Sequence, residues 1–356
     1  MSESLKAKIR QISPENASTA IQIYHRMHGT NTSNAFLAVL AVGGLYSVAF
    51  GNLEEEETFR NIFLCLAYVN FIFNVQFWLH NRTEAIGVLS QMIDIARVLE
   101  QWSNARQSKR LMKLSNIAKS FADGYNAVAV VGVSLYTALP VMTKKHGVTI
   151  SIIPDSEFWF WIVYIVEEAY LLSGCVAVYA MYTYQVQTTV CLYGLLENMS
   201  KHFLTAENNH RLNDLISRHQ QVLDACSKFR VLTSRWAFIQ TSAILIMVIM
   251  NTFSVIRGSR DPGAIMTIPL CMNFLFLFCA FGETLVSASE EIGWSAYRSD
   301  WLKANPDFRR KLVLVIERSQ TPALLDAGLV GTLTLPTFTK ILRIWFKYVQ
   351  ALVNLM

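Results

Sequence analysis

Apolar runs of bilayer-spanning length alternate with charged segments along the whole chain, and this alternation limits the possible folds most. Seven runs are read as spans, at about 34–50, 59–79, 121–143, 157–184, 235–256, 263–283 and 336–356. A helix needs about 20 residues to cross the hydrocarbon core. The first run is slightly short, and Gly43 and Gly44 within it permit close helix contact. From Glu157 to about Leu196 the chain stays apolar over roughly twice that length. One long helix that leaves the membrane and stays buried against protein is the simplest account. The segment 80–120 is amphipathic and basic, as a solvated or membrane-surface helix would be.

Composition agrees with this pattern. The chain is 53% apolar and 16% charged, against about 25% charged in soluble proteins. The six cysteines include no CxxC pair and lie mostly in apolar runs, which suits small buried hydrophobes. The first 30 residues are polar and show no cleavable signal, so the first span is expected to act as an uncleaved one. There is no internal repeat or low-complexity tract. The expectation is one all-α membrane domain over residues 1–356.

Positive charge predicts the orientation. Lys and Arg crowd before span 1 and between spans 2 and 3, 4 and 5, and 6 and 7. The opposite segments hold only Lys144, Lys145, Arg257 and Arg260. The bias places the N-terminus in the cytoplasm and the C-terminus outside, inverted relative to G-protein-coupled receptors. Regions 185–234 and 285–335 are then cytoplasmic. Asn16, Asn31, Asn81 and Asn198 each head a glycosylation triplet, and all four would be cytoplasmic.

Enzyme signatures are absent: there is no HExxH, GxSxG, GxGxxG or P-loop. His25 and His28 have metal-compatible spacing but no Cys or carboxylate set beside them, so no metal or cofactor is expected. The basic segments are scattered and not interleaved with aromatics, unlike a nucleic-acid surface.

The C-terminal stretch carries a family resemblance. Cys279, Gly282, Glu283, Ser289, Ala296, Tyr297, Trp301, Phe308, Arg309, Ser319, Gln320, Pro322, Ala327, Gly328, Phe338, Ile341, Leu342 and Tyr348 stand in the order seen in insect odorant receptors. The chain resembles an odorant-tuned member of that family rather than the shared co-receptor, Orco. The resemblance implies a seven-span, ligand-gated cation channel assembled with Orco as a heterotetramer. Extended spans 4 to 7 would build a cytoplasmic anchor, and the last helix would line the pore. It also implies a volatile odorant bound among spans 2 to 6 in the outer membrane half. Two rivals remain open. One is a gustatory receptor of the same superfamily acting without Orco. The other is a G-protein-coupled receptor, disfavoured by the charge bias and by missing DRY and NPxxY signatures.

On that basis the pore stripe runs through Leu355, Ala351, Lys347, Ile344 or Arg343, and Lys340. Ala351, Asn354 and Leu355 fall at the implied gate, where apolar rings block ions by dewetting. Lys340, Arg343 and Lys347 depart from the co-receptor's small or polar residues. They either face the pore or snorkel to the interface. An apolar volatile needs a mostly apolar cage. The candidates are Phe63, Ala67, Tyr68 and Phe71 on span 2, and Leu135, Tyr136 and Leu139 on span 3. Span 4 offers Phe158, Trp161, Tyr164, Ile165 and Glu168; spans 5 and 6 add Met250, Phe253 and Met266. Glu167 and Glu168 are carboxylates inside a span, which is costly and usually functional. Glu168 is either a hydrogen-bond partner for a polar odorant or a structural bond between helices.

Overall fold

Three helices of 48 residues each dominate the chain: α1 (Glu55–Trp102), α2 (Glu157–Leu204) and α3 (Asn209–Ile256). At 1.5 Å per residue each is about 72 Å long, more than twice the ~30 Å hydrocarbon thickness. α4 (Pro262–Tyr297) is 36 residues, α5 (Pro306–Ser319) is 14, and α6 (Leu335–Leu355) is 21. Short 3-10 turns at Trp301–Lys303 and Gly328–Val330 flank α5. The computed structural model describes residues 55–102, 156–205, 209–258 and 262–355, with isolated positions between 42 and 127. Among these, His210–Ile256 and Ala264–Tyr297 are long and apolar enough to cross a membrane.

Among the described residues, one part of the core lies where the second halves of α1, α2 and α4 meet the first half of α3. Ala85, Val88, Met92, Ile95 and Leu99 form one stripe on α1, and Leu192, Leu196, Met199 and Phe203 another on α2. Leu212, Leu215, Val222 and Phe229 continue it on α3, and Leu285, Ala288, Ile292 and Ala296 on α4. They recur every three, four or seven residues, the spacings of one helix face. The second half of α1 is therefore no solvated or surface helix. Residues 80–102 prolong the helix, with Arg82 and Asp94 turned outward and the stripe turned inward.

α5 closes over this part of the core. Asn305 caps it by accepting from the Phe308 amide at 2.8 Å, and Pro306 follows at its start. Phe308, Leu312 and Val315 are its buried face, within the amphipathic stretch Asp307–Gln320. Gly293 permits the contact: a Cβ there would stand 2.9 Å from Ser319 Cβ. Ser289 Oγ accepts from the Ala323 amide at 2.9 Å and fixes the strand-like return.

Two of the four glycosylation triplets lie within long helices. Asn198 is buried, and the Asn81 amide donates to the Phe77 carbonyl at 2.8 Å within α1. Asn16 and Asn31 lie outside the described residues.

Candidate pore helix and ligand pocket

α6 leans on the bundle by a single stripe and opens its other faces. Phe338, Ile341, Trp345, Tyr348 and Leu352 are half-buried, and no residue of the helix is fully buried. Phe338 meets the Phe276 ring edge at 5.4 Å, and the Trp345 indole donates to Thr252 Oγ1 at 3.1 Å. Lys340, Arg343, Ile344, Lys347, Ala351, Asn354 and Leu355 all lie exposed, Leu355 at 83%. The expected stripe is thus on the open side. None of its three cations forms an ion pair among the described residues.

The start of α6 is held much more tightly than its tip. Leu333 N donates to Leu325 O at 2.9 Å, and Ala327 N to Gly331 O at 2.9 Å, closing a small hairpin. Gly331 sits at φ 104°, a left-handed backbone that favours glycine. Arg230 on α3 grips Asp326 at 2.5 Å. Burial raises the Asp326 pKa, but hydrogen bonds from Ser234 and Arg230 and the Arg230 charge outweigh it and leave it below the ordinary value. On α4, the bare Gly282 backbone lies against the Leu333 carbonyl, and Glu283 accepts from the Leu335 amide at 3.3 Å.

The pocket candidates separate. Ala67 and Tyr68 are buried inside the bundle, and Phe71 is half-buried. Tyr164 is half-buried with the Trp161 ring edge-on at 5.9 Å, whereas Phe158, Trp161, Ile165 and Met266 are exposed. Met250 and Phe253 are half-buried, and the Arg257 guanidinium lies 4.8 Å over the Phe253 ring. Glu167 and Glu168 fall within α2, but their side chains, and that of Phe63, lie outside the described residues. So do Leu135, Tyr136 and Leu139. Among the described residues, Ala67 and Tyr68 lie inside the bundle, whereas the α2 candidates Phe158, Trp161 and Ile165 are exposed.

A polar network missed from sequence joins α1 to α3. Trp236 donates to Asn74 Oδ1 at 2.7 Å, Asn74 donates to Asn70 Oδ1 at 2.7 Å, and Gln240 donates to Asn70 Oδ1 at 2.8 Å. Asn70 and Asn74 one turn apart in an apolar run were the available signal. Farther along, Gln91 donates to Asp224 at 3.0 Å, so the two helices run antiparallel.

His219 on α3 is buried edge-on to Phe203 at 5.9 Å. Burial, then the positive charge of Arg318 on α5, lowers its pKa to about 4. The fold thus prefers neutral imidazole. Stability is full above the unfolded value near 6.5 and falls as pH drops from there to about 4. The expected loss is about 3 kcal/mol at pH 4. Thermal midpoints against pH check it: His219→Phe should flatten the slope in that window.

The sequence profile of the family described as "7tm Odorant receptor" matches residues 54–346. Among curated relatives, the chain is 28% identical over 149 residues to "Putative odorant receptor 85d" of Drosophila melanogaster, covering 38% of this chain and 34% of that protein. It is 36% identical over 74 residues to "Odorant receptor 67a" of the same species, covering 21% and 18%. The matched stretches thus span 34% and 18% of those two relatives. "Odorant receptor Or2" of Anopheles gambiae is 22% identical over 344 residues, 88% of each chain. The solved olfactory receptor OR5 from Machilis hrabei, in complex with eugenol, superposes with TM-score 0.78 at 11% identity, over 91% of this chain and 88% of that one. That likeness shows the all-α, seven-transmembrane-helix insect olfactory receptor fold. With the family profile covering most of the sequence, the chain belongs to the 7tm odorant receptor family.

Proposed function

We propose that this chain is an odorant-tuned subunit of a ligand-gated cation channel formed with Orco, in the plasma membrane of olfactory sensory neuron dendrites. The open face of α6 carries the reading. A membrane helix with no residue buried in its own chain supports further contacts with neighbouring subunits around a shared axis. The cations on that face support a mixed assembly over a homotetramer. Like charges ~8 Å apart repel by about 2 kcal/mol per pair at an effective dielectric near 20, so four copies of Lys347 would reject cations.

In this reading the N-terminus is cytoplasmic, the part of the core beneath α5 is a cytoplasmic anchor, and the seven spans keep the bounds given above. Odorant binds among spans 2 to 6 through the candidate set, with Glu168 available to a polar group. Binding favours the open arrangement and shifts the population toward it. The Trp345–Thr252 bond supports coupling, because Phe253 is a pocket candidate beside Thr252. Ala351, Asn354 and Leu355 form the gate.

An odorant panel on cells expressing this chain with and without Orco is the test. Evoked current only with Orco is the expected result; current from this chain alone would overturn the mixed assembly. Within the mixed channel, Lys347→Thr should shift cation permeability ratios or single-channel current measurably. Unchanged values would place Lys347 off the conduction path.

A further inference from the structure

Buried hydroxyls in this protein are usually satisfied by their own helix. Thr233 donates to Phe229 O at 2.8 Å, Thr252 to Val248 O at 2.6 Å, and Ser319 to Val315 O at 2.8 Å. A short piece of α2 breaks the rule. Tyr184, Gln185, Thr188 and Thr189 are 4%, 3%, 0% and 0% exposed. Each carries a side-chain oxygen with no hydrogen-bond partner among the described residues. Natural proteins leave only a few such atoms per ~100 residues; here four fall within six positions.

The four residues share one face. Positions 184 and 188, 185 and 188, and 185 and 189 are three or four apart, hence neighbours along the helix surface. The Tyr184 hydroxyl interacts with Thr188 Oγ1, but in a geometry too poor to count as a full hydrogen bond. It cannot turn away to solvent, because Trp78 and Phe229 hold its ring edge-on at 5.5 and 6.1 Å. Groups that face each other without bonding are the usual setting for a bridging water.

We propose that this stripe is a binding site for ordered water, set where α2 packs against α1 and α3. The chemistry selects the occupant. Hydroxyls and an amide oxygen offer neutral donors and acceptors, which water matches in both roles. A divalent or transition metal would need a charged or imidazole ligand set, and no group of His, Cys, Asp or Glu suited to one occurs among the described residues. Water-bridged hydroxyls exchange partners readily, so α2 can shift against its neighbours without breaking a direct side-chain bond.

Two measurements on the full-length chain purified with Orco test the site. Threonine and valine have the same shape, so the sign of the effect is informative. If water satisfies the hydroxyls, Thr188→Val and Thr189→Val should each lower the thermal midpoint by about 2 °C. If the hydroxyls are dry and unsatisfied, the same changes raise it. X-ray radiolytic footprinting gives a readout independent of stability, since bound water generates hydroxyl radicals in place. Tyr184 should label well above Tyr182, which is also buried, at 1% exposed against 4%, but packed on the Phe274 and Phe278 rings at 4.9 and 5.9 Å. A raised or unchanged midpoint in both valine variants, or Tyr184 labelling no higher than Tyr182, overturns the proposal.

Discussion

Gly282→Val is expected to abolish odorant-evoked current, with at least a tenfold loss, and to lower the thermal midpoint of the protein. A Cβ at this position would stand 1.9 Å from the Leu333 carbonyl oxygen and 3.0 Å from its carbon. Both are backbone atoms, so no flexible side-chain end can yield. Overpacking usually costs about 1–3 kcal/mol and occasionally more, and a clash against main chain belongs at the upper end. α4 must back away from the segment that enters α6, which also pulls Glu283 off the Leu335 amide. Gly282→Ala carries the same Cβ and should fail in the same direction. Gly87 is the control: nothing lies within 4 Å of a Cβ added there. Gly87→Ala, mid-helix on α1, should be neutral or stabilising by up to about 1 kcal/mol. Current recordings beside size-exclusion melting curves separate the cases. Wild-type behaviour in Gly282→Val would refute the close approach of α4 to Leu333.

Asn74→Leu should be comparably damaging through a different cause. It removes the acceptor for the Trp236 indole and the donor to Asn70. A buried polar group left without its partner costs about 1–3 kcal/mol, and both Asn74 and Trp236 are fully buried. Trp236→Phe removes the opposite partner. If the bond is what matters, the double variant should lose clearly less than the two single losses added together. Simple additivity in melting experiments would mean that packing, not hydrogen bonding, dominates at this crossing.

Much of the architecture is legible in residue spacing. The apolar run from Glu157 to about Leu196 states most of the length of α2, which continues to Leu204, and the alternation within Asp307–Gln320 states the buried face of α5. The second half of α1 is harder. Arg82, Glu84, Asp94 and Arg97 make it look solvated, and its apolar stripe fits a membrane surface and a protein core equally well. Only the partner face decides, and that face belongs to α2 and α3, more than a hundred positions away. The candidate site divides on the same principle. The cationic stripe of α6 follows from three- and four-residue steps within one helix. A pocket depends on how several helices are rotated about their axes, which local spacing does not encode. Gly282 illustrates the limit: its identity was visible in the C-terminal pattern, but its reason, the Leu333 carbonyl, lies fifty residues downstream.

The stripe that α5 closes over has an evolutionary consequence. Its contacts join residues far apart in the chain, so a substitution in one helix of that stripe must suit several others at once. The exposed positions of the same helices carry no such joint demand. A lineage of these chains can therefore vary its outward surfaces quickly while the scaffold stays put.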